Sequence, residues 1–291
     1  MSRRKRLLRR LQNQGTRTTR PRSSVKQRQL RTDNLLVFAV SALAILLLAA
    51  PVIVLLVNGV ASRAWDGLPD SATILSAALL SFTSTFAVVC LAAALGTPLA
   101  FVLSRYEFSG KRLVSLFIEL PIVMPPAVAG LALLLTFGRR GAIGSLLADA
   151  GIIIPFSIVA VILAQFFISA PFYIRSAQVG FSGISAEIED AARVDGAYGW
   201  LMFWYITLPI AWRALISGMI LSWARALGEF GATILFAGNL QGKTQTMPLL
   251  VYSIFERDIN AAIWTGLILI VLALIALSLS QWLARAQDKM T

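Results

Sequence analysis

The sequence predicts an all-α polytopic membrane protein. Three observations carry the prediction: the ratio of apolar to charged residues, the length of the uncharged runs, and the confinement of the net charge to one end. Residues are 57% hydrophobic and 14% charged, against about 25% charged in soluble domains. A helix crosses the bilayer core with about 20 mostly apolar residues. Uncharged runs at residues 34–62, 71–104, 120–138, 150–174 and 259–284 could each do so. A sixth apolar segment, residues 196–242, is interrupted by Arg213, Arg225 and Glu229. Six spans are expected, with a lead-in segment or a tilt in the long run 71–104.

The net charge of +12 suggests a nucleic-acid partner until it is located. Residues 2–31 hold twelve Lys/Arg and no acid, while the rest of the chain sets fourteen basic residues against fourteen acidic ones. That stretch has no aromatic ring to stack on bases and leads directly into a span. Residues 1–31 are therefore read as a disordered basic cytoplasmic tail, and residues 32–291 as the membrane domain. The tail orients the chain and is drawn to anionic lipid headgroups, at about 1 kcal/mol per basic residue near the surface. No nucleic acid is expected. An organelle transit peptide is the alternative reading of an acid-free Arg/Ser/Thr leader. With the tail inside, Arg105, Lys111, Arg112, Arg175, Arg193, Arg285 and Lys289 fall in inner segments, and Arg63, Arg139, Arg140, Lys243 and Arg257 in outer ones. Both termini are then cytoplasmic.

What the chain lacks also narrows its chemistry. With no histidine, a His-based triad, a His general base and most zinc sites are excluded. The single cysteine, Cys90, lies in an apolar run and is read as a small buried hydrophobe. No G-x-x-x-x-G-K-[ST] phosphate loop occurs, so nucleotide hydrolysis is not expected on this chain. Catalytic residues, metal and resident cofactor are all expected to be absent.

Several segments carry irregularities. Pro121, Pro125 and Pro126 fall in the third span, and three prolines in six residues predict a bent or broken helix facing other helices. Gly218, Gly228 and Gly231 in the fifth allow either close packing or a pore-lining backbone. Residues 185–198 predict a short amphipathic helix. Its Ile184, Ile188, Ala191, Ala192 and Trp200 turn towards protein or interface, and Glu187, Asp190 and Arg193 towards water. Gly196 ends this helix and Pro209 begins the next span. An outer loop, residues 238–258, carries Lys243, Gln245, Met247 and Pro248 and is a candidate docking surface.

One pattern is more specific. Asp190-Ala191-Ala192, three residues, Gly196, nine residues, then Ile206-x-Leu208-Pro209 resembles the signature loop of binding-protein-dependent ABC importer permeases. That family usually has Glu in the first position; here Asp190 stands there with Glu189 before it, leaving open which carboxylate does the work. Such a loop needs small residues for close docking and a glycine for a sharp turn. The stretch from Arg225 to Asn239, the following GKTQTMP, and ELPIVMPPAVAGLAL are similar to the molybdate/sulfate/tungstate group, closest to molybdate permeases. The resemblance covers roughly residues 71–284. It implies a type I importer permease of six helices with a cytoplasmic coupling helix, in a bacterial cytoplasmic (inner) membrane. It further implies a second copy of the chain, two cytoplasmic ATPase subunits carrying ATP and Mg, and an extracytoplasmic oxyanion-binding protein. Sulfate and tungstate are the alternative cargoes, and a membrane scaffold the remoter alternative. Glu189, Asp190, Ala191, Ala192, Gly196, Leu208 and Pro209 would then couple to the ATPase. Glu119, Pro121, Pro125, Pro126, Arg225, Gly228, Glu229 and Gly231 would form pathway or gate.

Charges within spans are costly and mark function. Arg225 and Glu229 are one turn apart, which allows either a structural or gating ion pair, or an Arg225 that meets the anion. Glu119 is expected within reach of Arg225 or Arg213. Ser81, Thr83 and Thr85 are candidate donors to a passing oxyanion.

Overall fold

In a bilayer every backbone N–H and C=O needs a partner within the protein, and a helix supplies it locally. The computed structural model describes residues 23–61 and 68–287, and no strand occurs among them. The order runs α1 (Ser23–Ala61), α2 (Ser71–Arg105), α3 (Lys111–Val123), α4 (Pro126–Phe137), α5 (Gly144–Asp149) and α6 (Ile158–Ser182). α7 (Ala186–Val194), α8 (Gly199–Met202), a π turn (Phe203–Thr207) and α9 (Leu208–Leu227) follow. α10 (Gly231–Phe236), α11 (Met247–Phe255) and α12 (Ile259–Gln287) complete it.

Leu36–Ala61, Ser71–Arg105, Ile158–Ser182 and Gly199–Leu227 are long and apolar enough to cross a membrane, and α3 with α4 makes a fifth crossing if the bent pair is one span. The remaining expected span corresponds to α12, which has 29 residues and a described apolar stretch over Ile259–Ile275. α1 begins at Ser23, so the tail boundary at residue 31 falls inside a helix. Residues 1–22 of the tail, Arg63 and Lys289 lie outside the described residues.

The chain divides into two compact units, Met1–Val57 and Asn58–Thr291. The first contains most of α1, whose apolar side chains are largely exposed. Such a surface suits lipid, which is as apolar as a protein core. In the second unit α6 is the hub: α2 and α9 pack along it, and α3, α4 and α10 also touch it. Small residues make this possible, with Ala92, Ala100, Ala177 and Ala211 all buried in one cluster. A Cβ added at Gly218 of α9 would stand 2.8 Å from the Ser176 Cβ of α6. Polar bonds pin the same contacts: Ser176 Oγ donates to the Ala214 carbonyl at 2.7 Å, and the Thr97 and Tyr173 hydroxyls share a 2.5 Å hydrogen bond. At the far end of α2, Asp70 caps the helix by accepting from the Thr73 hydroxyl at 2.6 Å and the Thr73 N–H at 3.1 Å. These bonds, the hydroxyl's first, hold the Asp70 carboxyl below its ordinary range.

Two expectations are corrected and a third is narrowed. Cys90 is exposed, because in a membrane chain an apolar run need not be interior. The fifth span begins at Gly199, not at Pro209, and it stops at Leu227. Pro209 has no N–H to give the i−4 carbonyl, and the helix widens into the π turn immediately before it. The segment 238–258 buries Gln245 and Met247 with Thr244 and Thr246, so of the residues named for docking Lys243 is the exposed one, beside Leu240, Gln241 and Gly242. Its backbone is tied down where the Met247 N–H donates to Ser81 Oγ at 2.8 Å and Gln241 Nε2 donates to Thr73 Oγ1 at 2.7 Å.

α4 and α10 meet backbone to backbone. A Cβ at Gly130 would lie 2.9 Å from the Ala232 carbonyl oxygen and 3.0 Å from its Cα. Gly130→Ala should therefore destabilise the chain by about 1–3 kcal/mol through overpacking. The check is thermal unfolding in detergent, where an unchanged midpoint would show that the contact yields freely.

Candidate functional site

α7 is a nine-residue polar helix outside the bundle core, with no buried residue. Glu187 and Glu189 occupy its first turn and Arg193 its last, the arrangement the helix dipole favours. Glu189 ties it to the bundle. Its carboxylate lies 2.6 Å from Arg105 Nη2 at the end of α2 and 3.6 Å from Arg193. The Glu189 side chain is 13% exposed, whereas Asp190 is 68% exposed and pairs with Arg193 on the helix surface. The choice left open between two carboxylates thus separates into two roles: Glu189 faces α2, and Asp190 faces outward. Ala191 is exposed and Ala192 half-buried beside it, leaving low relief on the outward side. Ile184 is buried as expected, but Ile188 and Trp200 are exposed. Trp200 instead stacks on Phe203, ring centres 5.8 Å apart.

The helix ends in a Schellman turn. The Ala197 N–H donates to the Ala192 carbonyl at 2.9 Å and the Gly196 N–H to the Arg193 carbonyl at 3.0 Å. Gly196 takes φ +90°, and the space a Cβ would occupy there is open, so glycine is required by the backbone and not by packing. Leu208 packs on the α2–α6–α9 cluster, and Pro209 is exposed at the head of α9. A cavity of about 920 Å³ runs between α2, α6, α7 and α9, with Phe101, Arg105, Tyr173, Glu189, Trp204 and Met219 among its walls.

Two helix breaks lie elsewhere in the unit. α3 and α4 meet at 119°. Pro121 is buried within α3, Pro125 caps α4 and Pro126 is its first residue, so the proline cluster breaks the span as expected. The second break separates α9 from α10, and a Cβ at Gly231 would stand 2.6 Å from the Pro126 Cβ. The breaks are therefore in contact. Gly228 ends α9 at an ordinary φ of −84°, with no close neighbour to exclude a side chain. Glu229, 1% exposed, accepts from Arg225 at 2.9 Å and from the Ala232 N–H at 2.8 Å. Its carboxylate is thus committed to capping α10 and holding Arg225, which is 31% exposed.

Glu119 reaches neither Arg225 nor Arg213. It pairs with Arg175 at 2.9 Å, because α6 continues to Ser182 and carries Arg175 within it. Ending the span at its first charge misses Arg175. The signal is present in Ile174, Ala177 and Phe181, apolar at helical spacing and all buried. Two of the hydroxyls expected as anion donors are spoken for, Thr85 donating to the Ser81 carbonyl at 2.7 Å and Thr83 to the Leu79 carbonyl at 2.7 Å, while Ser81 Oγ, itself buried, accepts the Met247 N–H. Gln165, Ser222 and Thr233, not singled out from sequence, bury polar side-chain atoms without a hydrogen-bond partner. Among the described residues no group of three or more His, Cys, Asp or Glu is placed to hold a metal ion.

A hub-and-spoke set of membrane helices with interrupted spans and a tethered polar helix at one end defines a polytopic transport component. The profile of the family described as the binding-protein-dependent transport system inner membrane component matches residues 93–290, and the chain belongs to that family. It is 43% identical over 205 residues to the molybdenum transport system permease protein ModB of Mycobacterium tuberculosis, covering 70% of this chain and 76% of that one. It is 40% identical over 212 residues to ModB of Escherichia coli K12, covering 72% and 93%. Its fold matches a bacterial ABC transporter involved in the import of the acidic polysaccharide alginate, with TM-score 0.72 at 17% identity over 90% of this chain and 99% of that one. The resemblance read from the loop motif and the family agree, and the chain is a transport subunit, not an enzyme.

Two outcomes follow for the charged groups. Glu229→Ala should cost about 2–4 kcal/mol by stranding Arg225 and uncapping α10, while Glu229→Gln, which keeps an acceptor for Ala232, should lose less; equal unfolding midpoints for the two would dismiss the cap. At α7, Glu189→Gln should lower transport-coupled ATP hydrolysis far more than Asp190→Asn does if the α2 tether transmits motion. The reverse ranking in reconstituted transporter would assign that role to the outward carboxylate.

Proposed function

We propose that the chain is the channel-forming permease subunit of an ATP-driven, binding-protein-dependent importer of a tetrahedral oxyanion, molybdate first. The observation that carries the cargo is 40–43% identity, over some 70% of the chain, to permeases whose names specify molybdenum transport. Mechanical coupling is supported by the α7 geometry. A nine-residue helix joined covalently to α6 and α9 and ionically to α2 offers an outward face of Asp190, Ala191 and Ala192 to a partner cleft. Gly196 sets its angle, and Leu208 and Pro209 follow within the fifth span just past its π turn, Leu208 packed on the α2–α6–α9 cluster.

In this reading two copies of the chain enclose the path, and two ATPase subunits dock on α7 and hydrolyse ATP with Mg. An extracytoplasmic binding protein delivers the anion. The α7 end and both termini are cytoplasmic by the charge bias of the inner segments. The chain crosses the cytoplasmic (inner) membrane, with lipid around α1 and the outer faces of the bundle. No cofactor resides on the chain. Selection belongs to the binding protein, because a conducting site must release what it admits.

The test is ATP-driven uptake of labelled molybdate into proteoliposomes holding the permease, its ATPase and its binding protein. Ala191→Arg and Gly196→Pro should each abolish uptake while the complex still inserts, and uptake intact in both would end the coupling assignment. Competition by excess sulfate or tungstate at equal concentration, with molybdate the poorer cargo, would reassign the anion.

A further inference from the structure

Arg175 lies seven residues before the end of α6, about 10 Å along the axis at 1.5 Å per residue. Glu119 lies eight residues into α3, about 12 Å by the same rise. Both helix ends belong to the α7 end of the bundle: Ser182 leads into α7, and Lys111 follows the loop after Arg105. The ion pair therefore sits at a matched depth within two elements of the membrane domain. Yet the Arg175 side chain is 56% exposed and that of Glu119 37%, while Tyr173, Ile174 and Ala177 on the other side of α6 are buried.

A charge turned to hydrocarbon costs about 2.5–3.5 kcal/mol at a helix centre, and ionisable residues within spans face bundle interiors or water-filled cavities. This pair is not in the interior of its own chain, and an exposed charged pair near the inner ends of its helices is better served by water than by hydrocarbon. We propose that Arg175 is the cation a divalent tetrahedral oxyanion meets on the inner stretch of the path, with Glu119 and Gln178 holding its guanidinium in place. The inference rests on the permease reading above and adds a contact residue to it.

The geometry suits the role. Arg175 Nη2 is held by Glu119 at 2.9 Å, and Nη1 donates to Gln178 Oε1 at 3.3 Å. A guanidinium has five N–H donors in a fixed plane, so two anchors leave others to bridge two oxygens of one anion. The neighbouring Glu119 carboxylate offsets most of the positive field, which keeps the contact weak enough for release. The same asymmetry recurs at the α9–α10 break, where Arg225 is the more exposed partner and Glu229 the buried one. In each pair the arginine is the more exposed partner, although only Glu229 is buried.

Cys90 is the single cysteine, so Arg175→Cys in a Cys90→Ser background gives a unique thiol in the permease within the full transporter complex. In nucleotide-free proteoliposomes this thiol should react with a cationic, water-soluble methanethiosulfonate, and the positive charge left there should restore part of the molybdate response that Arg175→Cys loses. Arg175→Gln should raise the molybdate concentration for half-maximal ATPase stimulation about tenfold, the loss of one charge-assisted hydrogen bond. Arg175→Lys, which keeps the charge, should recover much of that loss and controls for folding. No labelling, a labelled thiol that restores none of the molybdate response, or an unmoved half-saturation in Arg175→Gln would each overturn the assignment. Absence of molybdate uptake by the unsubstituted complex would instead strike the proposed cargo; normal uptake beside any of those three results strikes Arg175 alone.

Discussion

Breaking a helix at bilayer depth strands backbone groups that lipid cannot satisfy, and the second unit is arranged around meeting that cost at two places. At the α9–α10 break the Glu229 carboxylate takes the Ala232 N–H, and Arg225 neutralises the charge brought in to do so. At the α3–α4 break Pro125 and Pro126 lack the donors that would otherwise be stranded at the start of α4, and Pro126 abuts Gly231. Each break thus covers part of the other. This explains why glycines at positions 130 and 231 sit where α4 and α10 touch: a side chain at either would prise apart the two places the bundle must keep closed.

Much of the fold is legible in the sequence because the bilayer imposes a length and a polarity that composition reports directly. The uncharged runs locate the spans, and the proline cluster locates the α3–α4 break. The fixed spacing from Asp190 to Pro209 marks α7 and its turn. What is not legible depends on which face a helix buries. Cys90 is exposed, although its apolar surroundings suggest otherwise, because hydrophobicity ceases to distinguish core from surface once lipid is the solvent. Arg175 escapes any reading that treats a charge as a boundary, whereas a span tolerates one that faces water. Thr83 and Thr85 look like free donors in sequence, yet their helical hydroxyls fold back on carbonyls three or four residues earlier. Pairings between elements distant in sequence, such as Glu189 with Arg105 and Glu119 with Arg175, require the packing itself.

The polar groups of the unit fall into two kinds. Some are consumed by architecture: Ser81 with Met247, Thr97 with Tyr173, Ser176 with Ala214, Glu229 with Ala232. Others are presented: Asp190 on α7, Arg175 on α6, Arg225 at the second break. Exposure separates them more sharply than residue type does. Glu189 and Asp190 are adjacent in sequence, yet one is drawn against α2 and the other stands in solvent.

Three spans converge on α7. α6 enters it, α9 leaves it, and α2 holds it by an ion pair. A push on this nine-residue helix cannot be taken up by one span sliding as a piston, because its neighbours are fastened to the same point. α2 and α9 are also packed along α6, so in the coupling reading a load on α7 reaches all three helices through packing as well as through charge, and loss of the Arg105–Glu189 pair would loosen α7 without parting the hub.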